Sequence, residues 1–240
     1  MNMKEADRLG ERLAPLIQAE QHDDAYQLLA PILAERTPFR YLERIGETFG
    51  AGPIQPTNAF LDQIAARGTE GGWVVIGGAL RAQIDRDLAG AFERTRGYIL
   101  AADVWYGADI LGERVPGPGL ATHFQGALRL LSPWRDDSNR WVRRAVGVSV
   151  HFWAKRSKDD RQKEKAAILL DLLEPMFSEW AMDATKGVGW GLKTLGKYYP
   201  DLVTAWLLDQ VQRKHRAIML HKAVTYLSDQ QEKRIRQAVE

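Results

Sequence analysis

At 240 residues, with 45% hydrophobic and 27% charged side chains, the chain has the composition of a globular protein with a sizeable core. It contains no cysteine, which excludes disulfide frameworks, thiolate nucleophiles and Cys-based zinc sites. The net charge of +2 conceals an asymmetry: residues 1–128 carry 12 Lys+Arg against 17 Asp+Glu, net −5, and residues 129–240 carry 21 against 14, net +7.

The N-terminal stretch MNMKEADRLGERLAPL is charged and has no apolar h-region, and no run of about 18 apolar residues occurs. A cytoplasmic protein without membrane association is therefore expected. Residues 1–35, with breaks at Pro15 and Pro31, are expected to supply N-terminal capping helices. Beyond them apolar residues recur at helical spacing, as in Leu61, Ile64 and Ala65, and in Ile168, Leu169, Leu172 and Leu173. The run Trp73-Val74-Val75-Ile76 is β-prone, but it continues into GGALRAQI with helical spacing. About a dozen helices of roughly 10–18 residues are expected. Breaks are expected near Thr37-Pro38, Gly50–Pro56, Arg67–Gly72, Pro116–Pro118, Ser132–Ser138, Ser157–Asp160 and Tyr199-Pro200, with GAGP (50–53) and PGPG (116–119) read as turns.

In YILAADVWYGADILGERV, helical spacing puts Trp105 and Asp109 on one face, one turn apart. An aromatic face beside a carboxylate stabilises a cation, either a bound one or one developing in a transition state. Asp109, between Ala108 and Ile110 in mid-helix, could equally be exposed or paired with an arginine. In SNRWVRRAVGVSVHFWAKRSK, Ser138 or Asn139 is the expected N-cap. Arg143 and Arg144 early in that helix suit a phosphate oxygen, or else a salt bridge to Asp136, Asp137 or the acidic segment EKAAILLDLLEPMFSEWAMD. A third segment, DATKGVGWGLKTLGKYYP, holds Trp190. The other tryptophans considered, Trp73, Trp134, Trp153, Trp180 and Trp206, read as packing residues.

Ten basic and four acidic residues in 129–163, and the same numbers in 186–236, suggest either a solvated helical surface or a surface for a polyanion such as DNA. The five histidines form no metal-binding pattern, and there is no Walker A loop or GxSxG elbow. No metal or cofactor is expected. WVRRAVGV (141–148) and DATKGVGW (183–190) align 42 residues apart, with Arg144 opposite Lys186 and Gly147 opposite Gly189. A period near 40 with two helices per unit predicts an all-α HEAT- or armadillo-like solenoid with a concave groove, in one domain over residues 1–240.

The Trp105–Asp109 segment, SNRWVRRAVGV and KGVGWGLKTLGKYYPDLV together resemble, in order and approximate spacing, the DNA alkylation repair family of HEAT-like glycosylases, the AlkD-like proteins. The resemblance covers residues 35–240 and is strongest over 97–206. It implies a DNA-facing groove lined by Trp105, Asp109, Arg144 and Trp190, with Arg143, Trp141, Lys186 and Lys193 as further DNA contacts. It also implies a monomer that removes N3- and N7-alkylated purines from duplex DNA without metal, cofactor or base flipping. Asp109, Trp105 and Trp190 would be the catalytic residues. Tyr106 and Gly107 stand where the family pattern has a second Trp and an acidic residue. Two other classes remain: a non-catalytic binder of distorted or branched DNA, and a protein-binding α-solenoid scaffold. Salt separates the last from the others, since six phosphate contacts give a slope of log K against log[salt] near about −5.

Overall fold

The computed structural model describes residues 1–239, and among them helices alone form the regular structure. The chain divides into two compact units, Met1–Val115 and Pro116–Glu240. The first holds α1 (Met3–Gln18), α2 (His22–Ala34), α3 (Phe39–Gly50), α4 (Ile54–Ala65), α5 (Glu70–Arg81), α6 (Leu88–Ala102) and α7 (Trp105–Arg114). The second holds α8 (Pro116–Thr122), α9 (Phe124–Leu131), α10 (Arg140–Arg156), α11 (Lys163–Leu173), α12 (Met182–Tyr198), α13 (Pro200–Gln210), α14 (Ala217–Val224) and α15 (Asp229–Gln237). The charge asymmetry falls on this division, because residues 116–128 carry no Asp, Glu, Lys or Arg.

Each unit is a double layer. In the first, α1, α3, α5 and α7 pack side by side, and α2, α4 and α6 form the opposing row. In the second, α8, α10, α12 and α14 make one row, and α11, α13 and α15 the other. Alternate helices of successive pairs thus pack on one another, which is the HEAT-like arrangement, and the all-α helical-repeat expectation holds.

Glycine sets how closely the rows pack. A Cβ on Gly50 of α3 would lie 2.5 Å from Ala79 Cα of α5, and one on Gly187 of α12 would lie 2.5 Å from the Arg144 carbonyl oxygen of α10. In both units neighbouring backbones touch, and a methyl group would force them apart. The 42-residue alignment has the same origin. Gly147 of α10 faces α12, and Gly189 of α12 faces α14, where a Cβ would lie 2.8 Å from Lys222 Cδ. The β-prone run 73–76 is helical because α5 is sandwiched between α3 and α7, with every residue from Gly72 to Leu80 buried.

Several expected breaks move. Pro15 and Pro31 lie inside α1 and α2, each three residues from the helix end. There a proline removes a single intrahelical hydrogen bond, while burial of Leu13, Ile17 and Leu29 holds the helices in place. PGPG is the first turn of α8, where the N–H groups that Pro116 and Pro118 lack would be unpaired in any case. Gly117 is needed within it, since a Cβ would sit 2.6 Å from Phe152 Cγ. Conversely, YILAADVWYGADILGERV is two helices: Asp103 adopts the left-handed conformation at φ 43° and closes α6. Asp tolerates that region without the Gly or Pro that would have advertised a break.

Candidate nucleic-acid interface

In the first unit Trp105 opens α7 after the left-handed Asp103 and the N-cap Val104, and the residue is 55% exposed. It meets Tyr106 edge-on, with centroids 5.8 Å apart and planes at 84°. Asp109, one turn along, is half-buried, while Ala108, Ile110 and Leu111 beside it are buried. Asp109 is thus in the second turn of a short helix, not mid-helix in a long one. Gly107 lies in the first turn, where a Cβ would come within 2.6 Å of Ala102 Cβ, so the tight α6–α7 turn requires glycine here.

Several basic side chains of this unit meet carboxylates of neighbouring helices. Arg81 reaches Glu43 at 2.8 Å and Glu47 at 3.4 Å, and Arg114 reaches Glu43 at 3.2 Å. Arg44 pairs with Asp7, and Arg94 with Asp62.

The second unit treats its cations differently. Helical spacing places Lys186, Trp190, Lys193 and Lys197 along one stripe of α12. Arg144 of α10 and Lys222 of α14 flank it. Burial, then the positive charges of Lys193, Arg144 and Lys186, hold the Lys222 ammonium below the ordinary lysine range. Four cations from three helices therefore converge, and among the described residues none of Lys186, Lys193 and Lys222 has an ion pair. Aromatic rings continue the stripe: Lys193 Nζ lies 4.9 Å and Lys197 Nζ 5.1 Å from the Tyr226 centroid. Such a cluster repels itself until a polyanion neutralises it.

Trp190 is half-buried and held from beneath. His151 of α10 stacks on it with centroids 3.9 Å apart and planes at 25°. His151 Nδ1 lies 2.6 Å from Thr194 Oγ1, whose hydroxyl donates to the Trp190 carbonyl at 3.0 Å. Burial, then the charges of Lys155 and Arg156, push the imidazole down to about 4, so it is neutral at physiological pH.

The remaining predicted contacts fare unequally. Asn139 is the N-cap of α10, accepting from the Trp141 and Val142 amides. Arg143 is committed to the fold: its Nε donates to Glu179 at 2.6 Å, and its Nη1 donates to the Asp137 carbonyl at 2.6 Å and the Ser138 carbonyl at 3.1 Å. Burial alone would raise the Glu179 carboxyl, yet Arg143 and the Ala181 amide hold it below the usual range. This is the salt bridge to the acidic segment that the sequence left open. Trp141 is buried, at 6% exposure, beneath Arg140, and is a packing residue. Arg144 is 9% exposed and donates to the Asp183 carbonyl at 3.0 Å, its stem filling the space beside Gly187. Trp73, Trp134 and Trp153 are buried as expected, whereas Trp180 is 53% exposed. Sequence reasoning named neither Lys222 nor His151. The available signal was Lys222 lying 36 residues after Lys186, close to one helix pair.

The fold and this face define a helical-repeat protein with an unneutralised basic surface edged by aromatic rings. Residues 74–227 match the family described as DNA alkylation repair enzyme, and the chain belongs to that family. No curated protein and no solved structure matches it. Membership makes DNA alkylation repair the process and DNA the substrate.

Proposed function

We propose that the chain is a DNA N-glycosylase that excises cationic N3- and N7-alkylated purines from duplex DNA without drawing the base into a pocket. The observation that carries this reading is the convergence of Arg144, Lys186, Lys193 and Lys222 beside Trp190, within the region matched to the family. Lys186, Lys193 and Lys222 take phosphate oxygens. Trp190, fixed by its stack on neutral His151, packs against the sugar–phosphate backbone.

The chemistry belongs to Trp105 and Asp109. An N-alkylpurine is already cationic, so it leaves as a neutral base when the C1′–N bond breaks. The positive charge passes to the deoxyribose as an oxocarbenium ion. A carboxylate about 4 Å from it contributes roughly 4 kcal/mol at an effective dielectric near 20. The exposed Trp105 face adds about 2 kcal/mol when desolvated. Water then forms the new C1′–O bond and loses its proton towards Asp109. A neutral, unmodified purine is a far poorer leaving group, so selectivity resides in the lesion itself.

The test is release of free 7-methylguanine and 3-methyladenine from duplex DNA by the wild type and by Asp109→Asn. Release by the wild type alone supports the reading. Salt-sensitive binding with no release from either protein replaces it with a non-catalytic binder of distorted DNA.

A further inference from the structure

Trp180 reads in the sequence as one more packing tryptophan, yet it stands out from the segment between α11 and α12 with 53% of its surface exposed. Two cations lie over its ring: Lys214 Nζ is 4.9 Å and Arg216 Cζ 5.1 Å from the centroid. Both come from the segment joining α13 to α14. Between them His215 turns inward, packing on Phe177 at 5.0 Å and on the Arg213 carbonyl at 2.7 Å. The inward anchor leaves Lys214 and Arg216 on the outer side.

Among the described residues neither cation has a carboxylate partner. The acids nearest Trp180 in sequence are already engaged, Glu179 by Arg143 at 2.6 Å and Asp183 by Arg140 at 3.2 Å. Trp180 also borders a surface hollow lined by Arg135, Asp136, Asp137 and Arg143, where acids and bases offset one another.

An exposed indole flanked by unpaired cations combines a stacking platform with phosphate neutralisation, the two elements by which proteins hold unpaired nucleic acid. The patch and the proposed DNA-binding cluster draw on the same two helices. Arg216 is the N-cap of α14, and at about 1.5 Å of rise per residue Lys222 lies roughly 9 Å further along. Trp180 precedes α12 in the same way, with Lys186 in its second turn.

We propose that Trp180, Lys214 and Arg216 form a second DNA contact, which stacks an unpaired base while the two cations hold its flanking phosphates. This extends the function proposed above, since it supplies a grip on strands whose pairing is disturbed. It does not depend on catalysis.

The experiment compares the wild type, Trp180→Ala, Trp180→Phe and Lys214→Ala/Arg216→Ala in binding a single-stranded oligothymidylate, a duplex with one bulged thymine and a fully paired duplex. Melting temperatures are measured alongside. Trp180→Ala should weaken binding to the single strand and the bulge about tenfold, with the paired duplex changed less than twofold and the melting temperature unaltered. Trp180→Phe should restore most of the loss. The double variant should lower the salt slope on single strands by about 1.4. Equal affinity of wild type and Trp180→Ala for unpaired DNA overturns the inference. So does self-association of the wild type that Trp180→Ala abolishes, which would make the patch a contact between copies. Base release from paired duplex by all four proteins reads the glycosylase separately, so either idea can fail alone.

Discussion

The two units are built on the same kind of helical double layer and differ in what they do with part of their charge. In the first, cations of one helix meet carboxylates of the next: Arg81 and Arg114 share Glu43, and Arg44 pairs with Asp7. In the second, Arg143 and Arg140 are paired, but Lys186, Lys193 and Lys222 are left facing one another and Arg144. Pairing of the first kind supports helix–helix packing. Unpaired convergence of the second kind costs folding stability and is repaid only when an anion binds. The contrast is between arginines that tie helices together and a lysine cluster that faces outward.

Asp109→Asn bears most heavily on this contrast, because Asp109 is the acid of the first unit assigned to chemistry. Base release should fall about 10³-fold, from the loss of roughly 4 kcal/mol in the transition state, with DNA affinity within twofold. Equal losses of binding and release, measured by single-turnover kinetics and equilibrium binding, would return Asp109 to the structural group.

Glu43→Gln should destabilise the fold by about 2 kcal/mol in urea unfolding, because it leaves the buried Arg114 guanidinium with a weakened partner. DNA affinity should hold. A loss of affinity in this variant would erase the distinction between the units.

Lys222→Met should do the reverse. It should weaken DNA binding about tenfold and lower the salt slope by about 0.9, yet raise the melting temperature by a few degrees by relieving repulsion around Lys193, Arg144 and Lys186. A drop in melting temperature would mean that the packing of its stem against Gly189 outweighs the charge.

The smallest effect concerns His151. Its folded value of about 4 lies below the ordinary 6.5, so the unfolded chain takes up the proton first as pH falls. Stability should be unaffected well above pH 6.5 and decline as pH falls from there towards 4. His151→Asn should flatten that decline in pH-dependent thermal unfolding, and the Trp190 fluorescence should shift as its stacking partner is lost.

Much of this protein was legible in one dimension. Helical periodicity gave the all-α class, the 42-residue spacing of Gly147 and Gly189 gave the repeat, and Trp105, Asp109, Arg144 and Trp190 carried the family resemblance. These signals are local, set by a 3.6-residue period and by which side chains lie a turn apart. Tertiary structure decided which charges are consumed and which remain. Nothing adjacent to Arg143 distinguishes it from Lys186, yet Glu179, 36 residues away, neutralises the former, while the latter lies close enough to Lys222 to depress its ammonium. Likewise Trp141 and Trp180 are indistinguishable as letters, and only the packing of α10 and the outward turn of the segment before α12 make one buried and the other exposed. Burial and charge pairing arise between residues distant in sequence, and so appear only once the helices are stacked.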